Sequence, residues 1–176
     1  RGADVTLISG PVNLTATHPN IRTIKVESAE EMFLAATSEF TTADAAILCA
    51  AVADFTPEQT ADHKIKREKE DLVLRLKPTH DIAAALGAAK STHQKLVGFA
   101  LETDNEMTHA QDKLQRKNLD FIVLNSLRDN GAGFQHDTNK ITIIDAHKAQ
   151  PYPLKTKKEV ATDIIDRLCM EFVSQQ

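Results

Sequence analysis

The chain has 176 residues, of which 41% are hydrophobic and 26% charged, with a net charge of −4 and a pI of about 6.0. That composition fits one globular domain over residues 1–176 with a sizeable core, and it excludes a disordered chain. It also argues against a general nucleic-acid binder, and no apolar run approaches the ~20 residues of a membrane helix, so neither nucleic acid nor membrane is expected as a partner.

In chain order, Val5 to Ile8 reads as a buried strand that turns at Ser9-Gly10-Pro11. Arg1 to Asp4 reads as a helix end, which leads to the expectation that a first βα unit lies upstream of this sequence. Asn20 to Val26 is the next strand. Ser28 with Glu31 forms a capping-box pattern before an amphipathic helix, Ala29 to Phe40. Ala45 to Ala50 is a short apolar run without alternation, expected to be a central strand buried on both faces. Thr56 to Lys69 is polar and is expected to form a flap, and Lys64 to Lys77 a projecting arm carrying a strand, Leu72 to Leu76. Asp81 starts an Ala-rich helix. Lys95 to Leu101 is a strand, and Thr103 or Asp104 caps a helix from Asn105 to Lys117. Asp120 to Asn125 is a strand, and Lys140 to Asp145 a more exposed one. A last helix, Lys158 to Val173, turns Val160, Ile164, Ile165, Leu168 and Phe172 inward. Strands alternating with helices give an α/β class with a mainly parallel, Rossmann-like sheet flanked by helices.

The stretch Ala45 to Lys66 carries the first chemical signal. The strand ends in Ala50, Ala51 and Ala53 and then Asp54, so a ligand can come close to the backbone at the carboxyl end of a strand, where open α/β sheets bind ligands. Ten residues after Asp54 comes Lys64-Ile65-Lys66-Arg67. One carboxylate and a cation cluster suit a polyphosphate with a ribose or metal beside it. A solvated surface loop is an equally good account of the same residues. A second signal is Gly98-Phe99 near the end of another strand, with Lys113 and Lys117 four apart on the helix that follows. Singly, these also read as core and as a solvated helix face. The loop with Gly131 and Gly133 lacks the third glycine position and the helix of a dinucleotide fingerprint, and there is no P-loop. No HExxH or Cys/His spacing marks a zinc site. Cys49 and Cys169 form no disulfide framework and fit a reducing, cytoplasmic compartment.

AAVADF followed by KIK, then VGFALET, KLQRKNLD and IVLN, in this order and spacing, resembles phosphopantothenoylcysteine synthetase over nearly the whole chain. The resemblance implies a Rossmann-like ligase domain, often fused to an upstream flavin-dependent decarboxylase that carries FMN, and a homodimer. It implies that CTP and Mg²⁺ activate 4′-phosphopantothenate as an acyl-cytidylate, which cysteine then captures. By motif position Lys64 would meet the triphosphate and reaction centre, and Asp54 would serve the nucleotide. Ala50 and Ala51 would face the acyl-phosphate and Gly10 would border the nucleotide. Phe99 would present backbone groups to cytosine, and Lys113 and Lys117 would reach nucleotide oxygens. Two departures stand out. The family's glycine-rich loop and asparagine-bearing segment precede the position where this sequence begins, so the chain alone is expected not to complete the reaction. Where the family often reads Asn-Pro-Asp, this chain has Pro78-Thr79-His80-Asp81, with His80 read as a surface histidine. The competing readings are a non-catalytic nucleotide-binding or dimerisation fragment of the same fold, and a dinucleotide binder, which the missing fingerprint disfavours.

Overall fold

A computed structural model describes residues 1–66, 71–102, 106–126 and 137–173. In chain order the elements are β1 (Val5–Ser9), β2 (Ile21–Lys25), α1 (Ala29–Phe40), β3 (Ala45–Leu48), β4 (Phe55–Pro57), β5 (Leu76–Pro78), α2 (Ile82–Ala89), β6 (Lys95–Glu102), α3 (Glu106–Arg116), β7 (Phe121–Ser126), β8 (Thr138–Asn139), β9 (Ile141–Ile144), β10 (Ala149–Pro151), β11 (Lys155–Thr156) and α4 (Lys157–Val173). They divide into two compact units, one of Arg1–Ala36 with Ala50–Ile82, the other of Thr37–Cys49 with Ala83–Gln176. Among the described residues no helix is long and apolar enough to cross a membrane.

In the first unit β1 and β2 pair in parallel from Val5↔Ile21 to Ser9↔Lys25. Helix α1 starts where the sequence signals it. The Glu31 backbone N–H donates to Ser28 Oγ at 3.1 Å, and the Ser28 N–H donates back to Glu31 Oε2 at 3.3 Å. Two donors that the first turn leaves unsatisfied are thereby closed reciprocally. The expected arm is shorter and less regular than its sequence suggests. Its strand begins at Leu76 and pairs antiparallel with β4, Phe55 opposite Pro78 and Pro57 opposite Leu76. Residues 71–75 have no regular structure, and Leu72, Val73 and Leu74 are exposed. Alternating Leu and Val predict a strand, but with no layer to cover them their burial never stabilises one.

The second unit holds a five-stranded sheet in the order β10-β9-β7-β6-β3. β3, β6 and β7 run parallel, and β9 and β10 add antiparallel edges, so the sheet is mixed and flanked by helices. Side chains alternate across it. One face sets Val97, Phe121, Val123, Ile141 and Ile143 against Val160, Ile164 and Leu168 of α4. The other face sends Leu96, Ala100, Ile122, Leu124 and Ile144 the opposite way, and Ala110 and Leu114 of α3 are buried with them.

Three sequence expectations change here. β3 lies at the end of this sheet and is half-buried, with Ile47 exposed, rather than central and buried on both faces. Alanines count as apolar, but they are small enough to sit at an edge at little cost. β9 is the reverse case: Ile141, Ile143 and Ile144 are buried, because strands flank both of its edges and α4 covers the face of Ile141 and Ile143. In α4, Ile165 is only half-buried and Phe172 is exposed, while Val160, Ile164 and Leu168 point inward as the periodicity requires. The caps Thr103 and Asp104, and the loop with Gly131, Gly133 and His136, lie outside the described residues, as does Arg67 of the cation cluster.

Candidate functional site

β6 outruns its neighbour. β3 pairs with it only as far as Leu48↔Gly98, while β7 accompanies it to Glu102↔Ser126. From Phe99 onward the β3-side edge of β6 therefore has no strand partner among the described residues. Backbone N–H and C=O groups on such an edge remain free to bind something else. Gly98, just before this edge, has a packing reason of its own. A Cβ there would lie 2.6 Å from Leu119 Cδ1, so its missing side chain makes room for Leu119 on the α3 face. The Phe99 ring packs against the core cluster and leaves its backbone as the group available at the edge.

In the first unit, Ala50, Ala51 and Asp54 leave the end of β3 by chain continuity, and all three are exposed. The segment is held by Thr79, whose N–H donates to the Asp54 carbonyl at 2.9 Å and whose Oγ1 donates to the Ala53 carbonyl at 2.7 Å. These two bonds extend the β4–β5 ladder back toward Asp54 and fix its backbone, while its carboxylate has no hydrogen-bond or ionic partner among the described residues. Lys64 is exposed and likewise unpaired there. Gly10 is half-buried, and a Cβ on it would only touch Met32 Cε at 3.9 Å. His80 is tied to α1. Its Nδ1 lies 2.7 Å from Glu30 Oε2, and its ring stacks on Phe33 with centroids 4.4 Å apart. That contact gives His80 a local structural role at the start of α2.

Lys113 and Lys117 are half-buried in the second unit. Lys117 stands in the turn after α3 that feeds the amino end of β7, and Lys113 is one turn earlier. Thus Gly10, Ala50, Ala51, Asp54 and Lys64 belong to the first unit and Phe99, Lys113 and Lys117 to the second. Among the described residues no three His, Cys, Asp or Glu side chains gather closely enough to hold a metal ion.

The amino ends of β6 and β7 carry a different kind of cluster. Lys95 is 4% exposed, and its Nζ lies 3.6 Å from Asp120 Oδ1 and 3.9 Å from Glu171 Oε2. Asp120 also accepts from Lys90 Nζ at 2.8 Å and from the Leu96 N–H at 2.6 Å. Glu171 pairs in turn with Arg167, which stacks over Phe121 and donates to Asp145 Oδ2 at 2.8 Å. Burial works to raise the Asp145 carboxyl. Hydrogen bonds from the His147 N–H, from Arg167 and from the Lys148 N–H, with the Arg167 charge, override it and hold the group below the ordinary carboxylate range. Every member of this network has a partner, which suits a structural clasp.

One polar group was not singled out by sequence reasoning. Asn125 Oδ1, near the carboxyl end of β7, is a buried side-chain acceptor without a hydrogen-bond partner among the described residues. The signal was present, since IVLN ends an apolar strand in an amide.

Residues 1–171 match the family described as DNA/pantothenate metabolism flavoprotein, C-terminal domain. The chain is 57% identical over 168 residues to a cysteine/cysteine sulfinic acid decarboxylase of an unknown prokaryotic organism, covering 95% of this chain and 47% of that protein. It is 44% identical over 169 residues to the coenzyme A biosynthesis bifunctional protein CoaBC of Bacillus subtilis strain 168, covering 95% of this chain and 41% of that one. The chain therefore spans less than half the length of these curated relatives. The crystal structure of the C-terminal domain of a CoaBC protein superposes with a TM-score of 0.81 at 35% identity, over 98% of this chain and 76% of that one. The family match over residues 1–171 and the superposition agree: the chain belongs to the family of the DNA/pantothenate metabolism flavoprotein C-terminal domain.

Proposed function

We propose that this chain is the ligase part of a coenzyme A biosynthesis protein, which activates 4′-phosphopantothenate with CTP and joins it to cysteine. The observation that carries the reading is the free edge of β6 from Phe99 onward, at the carboxyl end of parallel strands. The likeness to CoaBC proteins supports it. Decarboxylation, the activity in the name of one relative, belongs in this reading to a flavin domain outside this sequence, where FMN would bind. A homodimer is part of the same proposal.

In the first step a carboxylate oxygen of 4′-phosphopantothenate attacks the α-phosphorus of CTP. The bond from that phosphorus to the bridging oxygen breaks and pyrophosphate leaves. In the second step the cysteine amine attacks the acyl carbon, CMP leaves with the bonding pair, and the nitrogen loses a proton. Lys64 would neutralise charge that develops on the phosphates, which is worth most where it acts on the transition state. Asp54 would accept from the ribose. Ala50 and Ala51 would let the acyl-phosphate approach backbone groups, with Gly10 bordering the nucleotide. Backbone groups of Phe99 would read the cytosine edge, and Lys113 and Lys117 would hold nucleotide oxygens. In this reading Mg²⁺ would accompany the nucleotide phosphates and is assigned no protein ligands.

The test is single-turnover kinetics of the full-length protein. Lys64→Ala should slow acyl-cytidylate formation by about 10²–10³-fold with little change in CTP binding. Lys113→Ala should mainly raise the apparent KM for CTP. If both variants lose only binding, Lys64 is an anchor. CTP should stabilise the protein more than ATP, and equal thermal shifts would remove the cytosine-specific part of the reading.

A further inference from the structure

We propose that residues 71–77 pair antiparallel with the same residues of a second copy of the chain, across a twofold axis at Leu74. The proposal rests on the homodimer reading above and names the surface that forms it.

The first unit leaves this stretch uncovered. Leu72, Val73, Leu74 and Leu76 are each more than half exposed, and so is Phe55 on the neighbouring β4. An apolar patch of this kind marks a surface that meets a partner. β5 has β4 on one side and no strand on the other among the described residues. The Glu58 N–H donates to the Arg75 carbonyl and the Thr79 N–H to the Asp54 carbonyl, both at 2.9 Å. Backbone groups alternate in direction along an antiparallel strand, so Arg75, Lys77 and Thr79 turn theirs to β4, while Leu74 and Leu76 turn theirs to the open side. Continuing the strand backward puts Leu72 on the same open edge. Such an edge is a template for another strand. A partner there would also supply what residues 71–75 lack in the single chain, where they have no regular structure.

The sequence of the edge says which strand fits. DLVLRLK carries an acid at one end and a base at the other. With the axis at Leu74, Asp71 of each copy lies opposite Lys77 of the other, Val73 opposite Arg75, Leu72 opposite Leu76, and Leu74 opposite itself. Every leucine then faces a leucine on one side of the ribbon, and the opposite charges meet on the other. The residues that exchange backbone bonds are Leu72, Leu74 and Leu76, whose groups already point outward. The match is isologous, as a twofold dimer requires. Neighbouring registers fail on particular residues. An axis at Val73 sets Leu76 opposite Glu70 and Lys77 opposite Lys69. An axis at Arg75 sets that charge opposite itself and Leu72 opposite Pro78, which has no N–H. An axis at Leu76 sets Arg75 opposite Lys77. This self-complementarity selects a second copy of the chain over an unrelated segment. Because the leucines are exposed in the single chain, their pairing shows in association and not in the stability of the protomer.

The test is the dimer dissociation constant of the full-length protein by analytical ultracentrifugation. Asp71→Lys and Lys77→Asp should each weaken the dimer about tenfold or more, since each places like charges opposite one another twice per dimer. The double variant Asp71→Lys/Lys77→Asp restores both pairs and should return to within about threefold of the unaltered protein. Mild oxidation of Leu74→Cys should link two copies through the new thiol, whereas Val12→Cys, also exposed, should stay unlinked. A dimer that neither single reversal weakens, or one that Leu74→Cys fails to link, would overturn this interface and leave a homodimer formed elsewhere. A double variant as weak as the single ones would overturn the register. A protein that stays monomeric at every concentration would overturn the interface together with the homodimer reading, and leave the ligation to be judged by its own products.

Discussion

Phe121, Ile122 and Val97 in the second unit are fully buried, while Val73, in the stretch leading to β5 of the first unit, is 80% exposed. The second unit is built on a sheet covered on both faces, with an ion network closing the amino ends of its strands. The stretch of the first unit that follows β3 is held by a three-residue ladder and two bonds from Thr79. Half of the residues assigned to chemistry, Ala50, Ala51, Asp54 and Lys64, fall in that thinly held stretch. Local stability is drawn from buried contacts, and segments that must admit ligands come from its low end. The comparison teaches that burial concentrates in the sheet of the second unit, while the stretch after β3 in the first unit leaves its charged side chains exposed.

Core truncation should break this contrast most visibly if it is mistaken. Phe121→Ala should cost about 3–5 kcal/mol, whereas exposed Leu76→Ala should stay within about 0.5 kcal/mol. Urea unfolding of both variants measures the difference, and equal losses would mean that the arm is as well packed as the sheet.

The next effect sharpens the account of the second unit. A Cβ on Gly87 would fall 1.9 Å from the Lys117 carbonyl oxygen, and Asn118 Nδ2 already donates to the Gly87 carbonyl at 2.8 Å. Backbone meets backbone there, so Gly87→Ala should cost about 1–3 kcal/mol or more. At Gly98 the obstructing atom is the tip of Leu119, a side chain that can turn aside. Gly98→Ala should therefore cost less, as thermal unfolding of the pair would show.

The smallest effect is expected in pH. Asp145 is held below its ordinary value of 3.8. Its contribution is therefore complete above that value and is lost as pH falls through the folded-state pKa. As pH falls below the ordinary carboxylate range, the unaltered protein should lose stability more steeply than Asp145→Asn. Parallel curves would mean that the Arg167–Asp145 pair carries nothing.

Much of the fold was legible because its signals are local. The Ser28–Glu31 box, the Val160–Ile164–Leu168 spacing and the LVGFAL run each specify an element without knowledge of the rest. What could not be read was which strands have neighbours. Ala45 to Leu48 looks central and lies at the end of its sheet, and Ile141 to Ile144 looks exposed and is buried, because burial depends on pairing between distant segments. The candidate site was legible only as motifs. Residues such as Asp54 and Lys64 make no periodic pattern, and their grouping comes from the resemblance. Asn125 was quoted within its motif and given no role, since only three-dimensional context reveals a missing partner.

The central proposal is that the full-length protein carries out a CTP-dependent ligation in which this chain takes part. Its most direct test is a product balance on the full-length protein supplied with 4′-phosphopantothenate, cysteine, CTP and Mg²⁺. The account predicts one CMP and one pyrophosphate for each phosphopantothenoylcysteine formed, with pyrophosphate release stopping near one equivalent per site when cysteine is withheld. Product formed without CTP consumption, or no CMP under any condition, would contradict it.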